Sequence, residues 1–379
     1  MIYLDNASTT KMSPRVVKKM TEIMEDSYGN PSAIYEFGLE NNLKVEEARK
    51  TIAKLLGAQK HEIYFTSGGT ESDNWALIGI AERYQFKGKH IITSRIEHKA
   101  ILNTCKYLEE KGYEVTYLDV NSEGLIDLDE LWKSIRNDTI LVSIMYANNE
   151  VGTIMPIEKI AKICKDRKVL FHTDAVQAFG HMKIDTKHVP ISMLSASGHK
   201  FYGPKGIGFL YVRSEVEIGP FIRGGKQENG LRSGTENVVS IVGMAEAAQE
   251  CYKNLEIDNK RICLLRDYFI NELLRQVDGI KINTNVKKSL FNNINITIDG
   301  VDGILLVDSL GKEGICVSTG ASCNSDSIHP SYVLMSMGVS ASNAKTSVRI
   351  TLSKYTTKQE LDKALEIIPK LVSNLREVY

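Results

Sequence analysis

Net charge is the first thing missing: 47 lysines and arginines balance 47 aspartates and glutamates across 379 residues. A chain with no surplus of either sign presents no long-range field toward nucleic acid or an anionic membrane, so neither is expected as a direct partner. The six cysteines form no Cys-x-x-Cys pair and no ligand-spaced cluster. That spacing points to reduced thiols and away from a disulfide framework or a metal site. Long apolar runs are lacking too: no window reaches the roughly 18 residues of a membrane span, and Asp5 interrupts the start before a leader can form. The expectation is a soluble, cytoplasmic protein. No unit repeats at a period of roughly 20 to 50 residues, and no low-complexity tract is present. Two glycine patterns fail as nucleotide loops. Gly203-Pro-Lys-Gly206-Ile-Gly208 lacks the spacing and acidic follow-up of a dinucleotide fingerprint, and Gly224-Gly225-Lys226 has no Ser or Thr after its lysine.

What is present is an alternation of short β-rich runs with helical stretches. Strands are expected at 63–66, 90–94, 115–118, 140–146, 169–173, 193–196 and 207–212. Strands alternating with helices need crossover connections and build a mainly parallel sheet. Before it, Pro14 opens a helix to about Met24, and Leu39, Leu43, Ala48, Ile52 and Leu55 mark the inner face of a second that stops at Gly57. A long helix carries Val239, Val242, Ala245 and Ala248 on one face. Strands at 293–298, 315–318 and 347–352 follow, and a last helix buries Leu361, Leu365, Ile368, Val372 and Leu375. The length allows two domains. The division is placed near Asp258, giving a large domain of residues 14–258 and a smaller α+β domain of 1–13 with 259–379.

Two strand ends carry the chemistry. Met193-Leu-Ser-Ala-Ser-Gly-His-Lys200 stops abruptly at small and polar residues before a lysine, and Val169-Leu-Phe-His-Thr-Asp174 ends in a carboxylate with Gln177 close behind. In open α/β sheets ligands sit beyond the carboxyl ends of the strands, so an amine and an acid placed there converge on one crevice. Pyridoxal phosphate requires such a pair: a lysine for its aldehyde and an acid to keep its ring nitrogen protonated. A lone lysine after a strand is most often a solvated surface residue; the rest of the site gives Lys200 its significance. Tyr64-Phe-Thr-Ser-Gly-Gly69-Thr70-Glu-Ser-Asp73 supplies a phosphate cradle, because its glycines let backbone N–H groups approach and a helix start attracts anions. Ser197 and His199 flank the lysine and add donors to that phosphate.

Read together, these stretches resemble the class V group of pyridoxal-phosphate enzymes and, within it, the cysteine desulfurases of the long-loop NifS/IscS-like group. The resemblance runs through Tyr3-Leu-Asp-Asn-Ala-Ser-Thr-Thr10, Tyr28-Gly-Asn-Pro-Ser32, Thr66-Ser-Gly-Gly-Thr-Glu-Ser72, Glu97-His98-Lys99, Asn148-Asn-Glu-Val-Gly152, His172-Thr-Asp-Ala-Val-Gln177 and Ser197-Gly-His-Lys200. It continues through Arg232-Ser-Gly-Thr-Glu-Asn237, Gly320-Ala-Ser-Cys323 and Ser347-Val-Arg-Ile350, in family order over nearly the whole chain. It implies an α/β fold-type I pyridoxal-phosphate-dependent transferase, with a mainly parallel seven-stranded sheet in the large domain and 207–212 as its antiparallel member.

The resemblance also assigns roles. Lys200, Cys323 and His98 are the catalytic candidates. Gly69, Thr70, His98, Asn149, Asp174, Gln177, Ser197, His199, Lys200 and Thr235 are the cofactor contacts, with His98 stacked on the ring and Gln177 on its phenolic oxygen. Thr235 is donated by the neighbouring subunit, which implies a homodimer. Arg349, Asn149 and Asn6 are the substrate contacts; an arginine inside an apolar strand either lies on a solvent face or reaches an anion in a cleft, and an amino-acid carboxylate suits its planar fork. Cys323 lies among small and polar residues, where a free thiol is unusual. Its implied role is to take sulfur from L-cysteine as a persulfide, leaving L-alanine, and to pass it to an acceptor such as an iron–sulfur scaffold or a tRNA-thiolation enzyme. The alternatives are a selenocysteine lyase, another class V aminotransferase or lyase, and a non-catalytic dimeric scaffold. Departures from the family pattern include Ser8 and Gly69 in place of alanine, Tyr35 in place of histidine, Lys226 within a glycine run, Phe291 in place of a proline, Ala321-Ser322 reversed before the cysteine, and Ser353-Lys354 where Gly-Arg is frequent.

Overall fold

The computed structural model describes residues 1–319 and 329–378. Cys323 lies outside the described residues. The strands are β1 (Ile2–Tyr3), β2 (Ile63–Thr66), β3 (His90–Ser94), β4 (Glu114–Leu118), β5 (Thr139–Ser143), β6 (Leu170–Asp174), β7 (Met193–Ser197), β8 (Gly208–Val212), β9 (Ile280–Ile282), β10 (Asn293–Ile298), β11 (Ile315–Cys316) and β12 (Ser347–Thr351). Seven of them form one sheet in the order β2-β8-β7-β6-β5-β3-β4. Only β8 opposes its neighbours, pairing antiparallel with both β2 and β7. The carboxyl ends of β2, β3, β5, β6 and β7 therefore open onto one side.

Both faces of this sheet are covered, which is why its strands read as near-continuous apolar runs. Alternate residues divide between two cores. Ile91, Leu141, Met193 and Leu210 pack with Trp75, Leu77, Ile80, Ile101 and Leu108 on one face. Ile92, Val142, Leu194 and Phe209 pack with Val16, Ile52, Ile160, Ile241 and Met244 on the other. A third core lies around β10 and β12, where Ile294, Ile296, Val348 and Ile350 meet Phe269, Leu306, Leu361, Leu365 and Val372. The last helix, Lys358–Val378, runs through Pro369 and buries its expected stripe, with Leu375 partly covered.

The helix Val238–Gln276 runs unbroken for 39 residues, about 58 Å at 1.5 Å per residue. Ile241, Met244 and Ala248 lie in the core of the large sheet, and Ile262, Phe269 and Leu273 in the third core. Asp258 lies between the two sets. The N-terminal arm has the clearest tertiary role. β1 pairs parallel with β11, and Asp5 bridges to Thr351, so residues 1–8 lie beside the third core at the mouth of the sheet.

One helical face departs from expectation. In Glu36–Leu56 the buried stripe runs through Gly38, Asn41, Val45, Ala48, Ile52 and Leu56, while Leu39 and Leu43 point to solvent. Asn41 enters that stripe because its side-chain amide donates to the Gly29 carbonyl at 3.0 Å, so a buried polar group is paired. Of the expected face, Ala48 and Ile52 are buried and Leu55 is partly covered, so hydrophobicity alone misplaced only its first half. No helix among the described residues is long and apolar enough to cross a membrane.

Candidate active site

A cavity of about 270 Å³ opens at the carboxyl edge of the sheet, lined by residues from five strand ends and from the strand of the third core that carries Arg349. β6 delivers Asp174 and then Gln177, while β7 delivers Ser197, His199 and Lys200. The segment after β3 brings His98, the segment after β5 brings Asn149, and β12 brings Arg349 across from the third core. Gly69 and Thr70, at the start of the sixteen-residue helix Gly69–Tyr84, complete the wall. Short parallel strands that stop in register put these ends at one level, as the fold requires of a site outside their carboxyl termini.

Asp174 is almost fully buried, with Oδ1 accepting the Val176 N–H at 2.9 Å. Burial pushes its carboxyl above the ordinary range, while His98, the Val176 N–H and Lys200 pull it back. His98 caps the helix Lys99–Glu110: its Nδ1 accepts the Ala100 N–H at 3.2 Å, which leaves the proton of the neutral ring on Nε2. The protein packed around its imidazole lowers its pKa; Asp174 opposes this, and Lys200 and Lys99 add to it. The Lys200 ammonium donates to the carbonyls of Ala7 at 2.7 Å and Ser8 at 2.8 Å. Gln177 Nε2 donates to the same Ala7 carbonyl at 2.9 Å. His199 is driven down to about 4, first by burial and then by Lys200 and Lys205, so its ring is neutral near pH 7.

Arg349 is buried, which excludes the solvent-face alternative. Its Nη1 donates to the Asn149 carbonyl at 2.9 Å, and its Nη2 to Asp5 Oδ1 and Ser8 Oγ, both at 2.8 Å. Two expected residues lie elsewhere. Asn6 is not among the residues lining the cavity, and its amide is used structurally, donating to the Thr351 carbonyl at 2.7 Å. Thr235 lines a separate cleft with Ser67, Gly206 and Arg232. Cys323 lies outside the described residues. On either side, Ser318 exchanges backbone hydrogen bonds with Arg349, and Ser331 Oγ and Tyr332 Oη donate to Glu150 Oε2 and to the Glu97 carbonyl.

Sequence reasoning missed a second carboxylate. Asp73 lines the cavity fully buried, and its Oδ1 has no hydrogen-bond partner. Burial and the Asp174 charge push its carboxyl well above the ordinary range. Its position one turn after Gly69, on the same helix face, was the available signal. His172, two residues before Asp174 on β6, is hydrogen-bonded to Ser143 Oγ and Ser195 Oγ at 2.9 Å each, and burial lowers it to about 3. Asp5, Ser8, Glu97 and Glu150 were likewise left unassigned.

A planar, phosphorylated pyridine aldehyde fits these residues. Gly69 starts a helix whose first N–H groups have no intrahelical acceptor, and Ser67, Ser197, His199 and Lys205 border the same small cleft beside it. Asp174, a carboxyl whose charge burial disfavours, calls for a cationic N–H opposite it. Asn149 Oδ1 is buried without a partner and the Arg349 Nε is too, so the wall retains polar groups for a ligand.

Comparison with known proteins gives a consistent result. The aminotransferase class-V family pattern matches residues 2–364. The chain is 48% identical over 377 residues to the cysteine desulfurase IscS of Methanosarcina thermophila, covering 100% of this chain and 93% of that protein. It is 46% identical to the cysteine desulfurase IscS of Dictyoglomus turgidum, covering 100% of this chain and 96% of that protein. Among solved structures, a NifS-like protein superposes with a TM-score of 0.93 at 41% identity over 98% of this chain and 99% of its own. SspA in complex with cysteine superposes at 0.83 with 36% identity, over 94% of this chain and 100% of its own.

Proposed function

The chain belongs to the aminotransferase class-V family and is a pyridoxal-phosphate-dependent cysteine desulfurase, and from that premise we propose how its residues divide the work. Bound pyridoxal phosphate supplies a carbonyl carbon that joins an amine and a protonated ring that draws electrons from the substrate α-carbon. Lys200 would hold the cofactor at rest, and its Nζ, when free, would carry the substrate α-proton. Asp174 keeps the ring nitrogen protonated. His98 would cover the ring, and Gln177 would donate to the phenolic oxygen. Gly69, Thr70, Ser197 and His199 would hold the phosphate by hydrogen bonds, with Thr235 of a second subunit completing the set. Arg349 and Asn149 orient the substrate carboxylate, and Asn6 supports the same end by pinning the N-terminal turn.

Cys323 as thiolate attacks the sulfur of the bound L-cysteine. The sulfur–sulfur bond forms as the sulfur–carbon bond breaks, the electron pair stays with the three-carbon skeleton, and protonation releases L-alanine. The persulfide on Cys323 then passes its outer sulfur to an acceptor protein, an iron–sulfur scaffold or a tRNA-thiolation enzyme. The protein acts in the cytoplasm and as a homodimer; Ile34, Leu39 and Leu43, which stand out from the surface within one stretch, support the dimer. The large domain comprises residues 14–258, and the smaller one 1–13 with 259–379.

One observation carries the assignment: an amine, a buried acid, an imidazole and a guanidinium meet in a single cavity beside a helix start. The deciding experiment measures L-alanine and sulfide from L-cysteine and reductant with wild type, Cys323→Ala and Lys200→Ala. Both variants are expected to lose sulfur release by at least about a hundredfold, while Cys323→Ala still binds cofactor and substrate. Undiminished release from Cys323→Ala defeats the persulfide route.

A further inference from the structure

The N-terminal turn reaches both cations of the cavity. Asp5 Oδ1 and Ser8 Oγ take the two Nη2 hydrogens of Arg349, and the carbonyls of Ala7 and Ser8 take Lys200. The turn is itself fastened to β12, with Asn6 Nδ2 donating to the Thr351 carbonyl and the Ala7 N–H donating to Thr351 Oγ1 at 2.9 Å. It is therefore part of the cavity wall, and Ser8 lines the cavity directly.

These contacts are unequal. Asp5 is a charged acceptor and grips the guanidinium strongly, whereas Ser8 is neutral and its hydroxyl rotates between accepting and donating. Arg349 Nε is buried without a partner, so it remains a donor for an anion entering the cavity. A carboxylate approaching that guanidinium meets a cation already half neutralised by Asp5. The partner it can replace at Nη2 without leaving a charge behind is Ser8.

We propose that the Asp5–Ser8 turn sets the affinity of the site for the α-carboxylate of its amino-acid substrate, with Ser8 as a direct contact and Asp5 as a counter-charge. Before substrate enters, Ser8 Oγ accepts from Arg349. Once the carboxylate takes that Nη2 hydrogen, the freed hydroxyl turns and donates to it, so Ser8 contributes a hydrogen bond to an anion. Asp5 fixes the guanidinium and weakens its pull. The inference rests on the reading that Arg349 receives the substrate carboxylate.

The test uses holoenzyme and two measurements: titration with L-alanine followed by the visible absorption of the bound cofactor, and the steady-state KM and kcat for L-cysteine. Ser8→Ala is expected to raise the L-alanine dissociation constant and KM about tenfold, with kcat changing much less, as a lost hydrogen bond to a charged group requires. Asp5→Asn keeps an acceptor but removes the charge, and is expected to tighten both constants several-fold. Opposite signs separate this role from scaffolding, which moves both variants the same way. A Ser8→Ala protein that binds L-alanine as wild type does, or a shared direction in the two variants, overturns the proposal. Arg349→Lys separates the levels: unchanged constants there defeat the underlying reading of Arg349, whereas weakened binding there with an unaffected Ser8→Ala defeats only the proposal about the turn. Should Asp5→Asn fail to fold, the Ser8→Ala titration alone decides.

Discussion

At the scale of single residues, the site is unusual in how many carboxyl groups it keeps from water. Asp73, Glu97, Glu150 and Asp174 are all buried around it. Burial pushes Glu97 up to about 8 and Glu150 to about 7. A carboxyl whose pKa is raised on folding binds its proton more tightly in the native state. Its contribution to stability is therefore full below about 4.5 and is lost as pH rises through the folded value. For Glu150 that window runs from about pH 4.5 to about pH 7, and the shift corresponds to of order 3 kcal/mol at 1.36 kcal/mol per pKa unit. Glu150→Gln removes the titration but leaves an acceptor for Ser331. Its melting temperature is expected to gain on that of wild type between about pH 5 and about pH 8, as read by scanning calorimetry of the holoprotein; parallel pH profiles would count against the assignment. The identities of the buried acids were all visible in the sequence. Their burial was not, because Asp73, Glu97 and Glu150 sit in stretches no more apolar than ordinary loops.

At the scale of elements, the phosphate cradle is decided by one close approach. A Cβ placed on Gly69 would come within 2.5 Å of Val176 Cγ2, so alanine there forces the valine toward the cavity it lines. Gly69→Ala is expected to weaken pyridoxal-phosphate binding several-fold, and Gly69→Ala with Val176→Ala to recover most of it, a non-additivity that contacting residues show. Titration of the cofactor-free protein, followed by absorbance, measures both. A double variant no better than the single would mean that the cradle fails for another reason. This pairing joins a helix start to the turn after β6. Its sequence trace was a glycine where the resembled family carries alanine, and only the packing says why: the valine already fills the space. The strands of the large sheet were legible within a residue or two at most ends, because β-branched runs between turn signals admit few other structures. The first half of the buried face of Glu36–Leu56 was misread for the complementary reason, since Asn41 enters the core through a hydrogen bond that no hydrophobic period registers.

At the scale of the whole molecule, the cavity is closed by distant parts of the chain. Arg349 arrives from the third core, Asp5 and Ser8 from the N-terminal arm, and Lys200 from the central sheet. In the dimer we propose, a second subunit completes it through its own Thr235, a residue that lines a cleft outside the central cavity. Mixed dimers test this. Thr235→Ala and Lys200→Ala proteins, each weak alone, are expected to regain roughly a quarter of wild-type active sites when unfolded together and refolded, since half of random dimers then hold one intact site. Activity that merely averages the two parents would place Thr235 in its own subunit's site or in none.

The sequence by itself determined the alternating architecture, the lysine and acid at two strand ends, the glycine turn before a helix and the family to which they belong, because each is a local pattern with few structural outcomes. The tertiary structure decided which face of the second helix is buried, that Arg349 is turned inward and already held by Asp5 and Ser8, and that Asn6 serves the backbone. Those facts depend on which residues come to lie beside one another, for Arg349 and Asn6 across more than three hundred positions of chain, and burial and hydrogen bonding between such residues have no signature in the order of the amino acids alone.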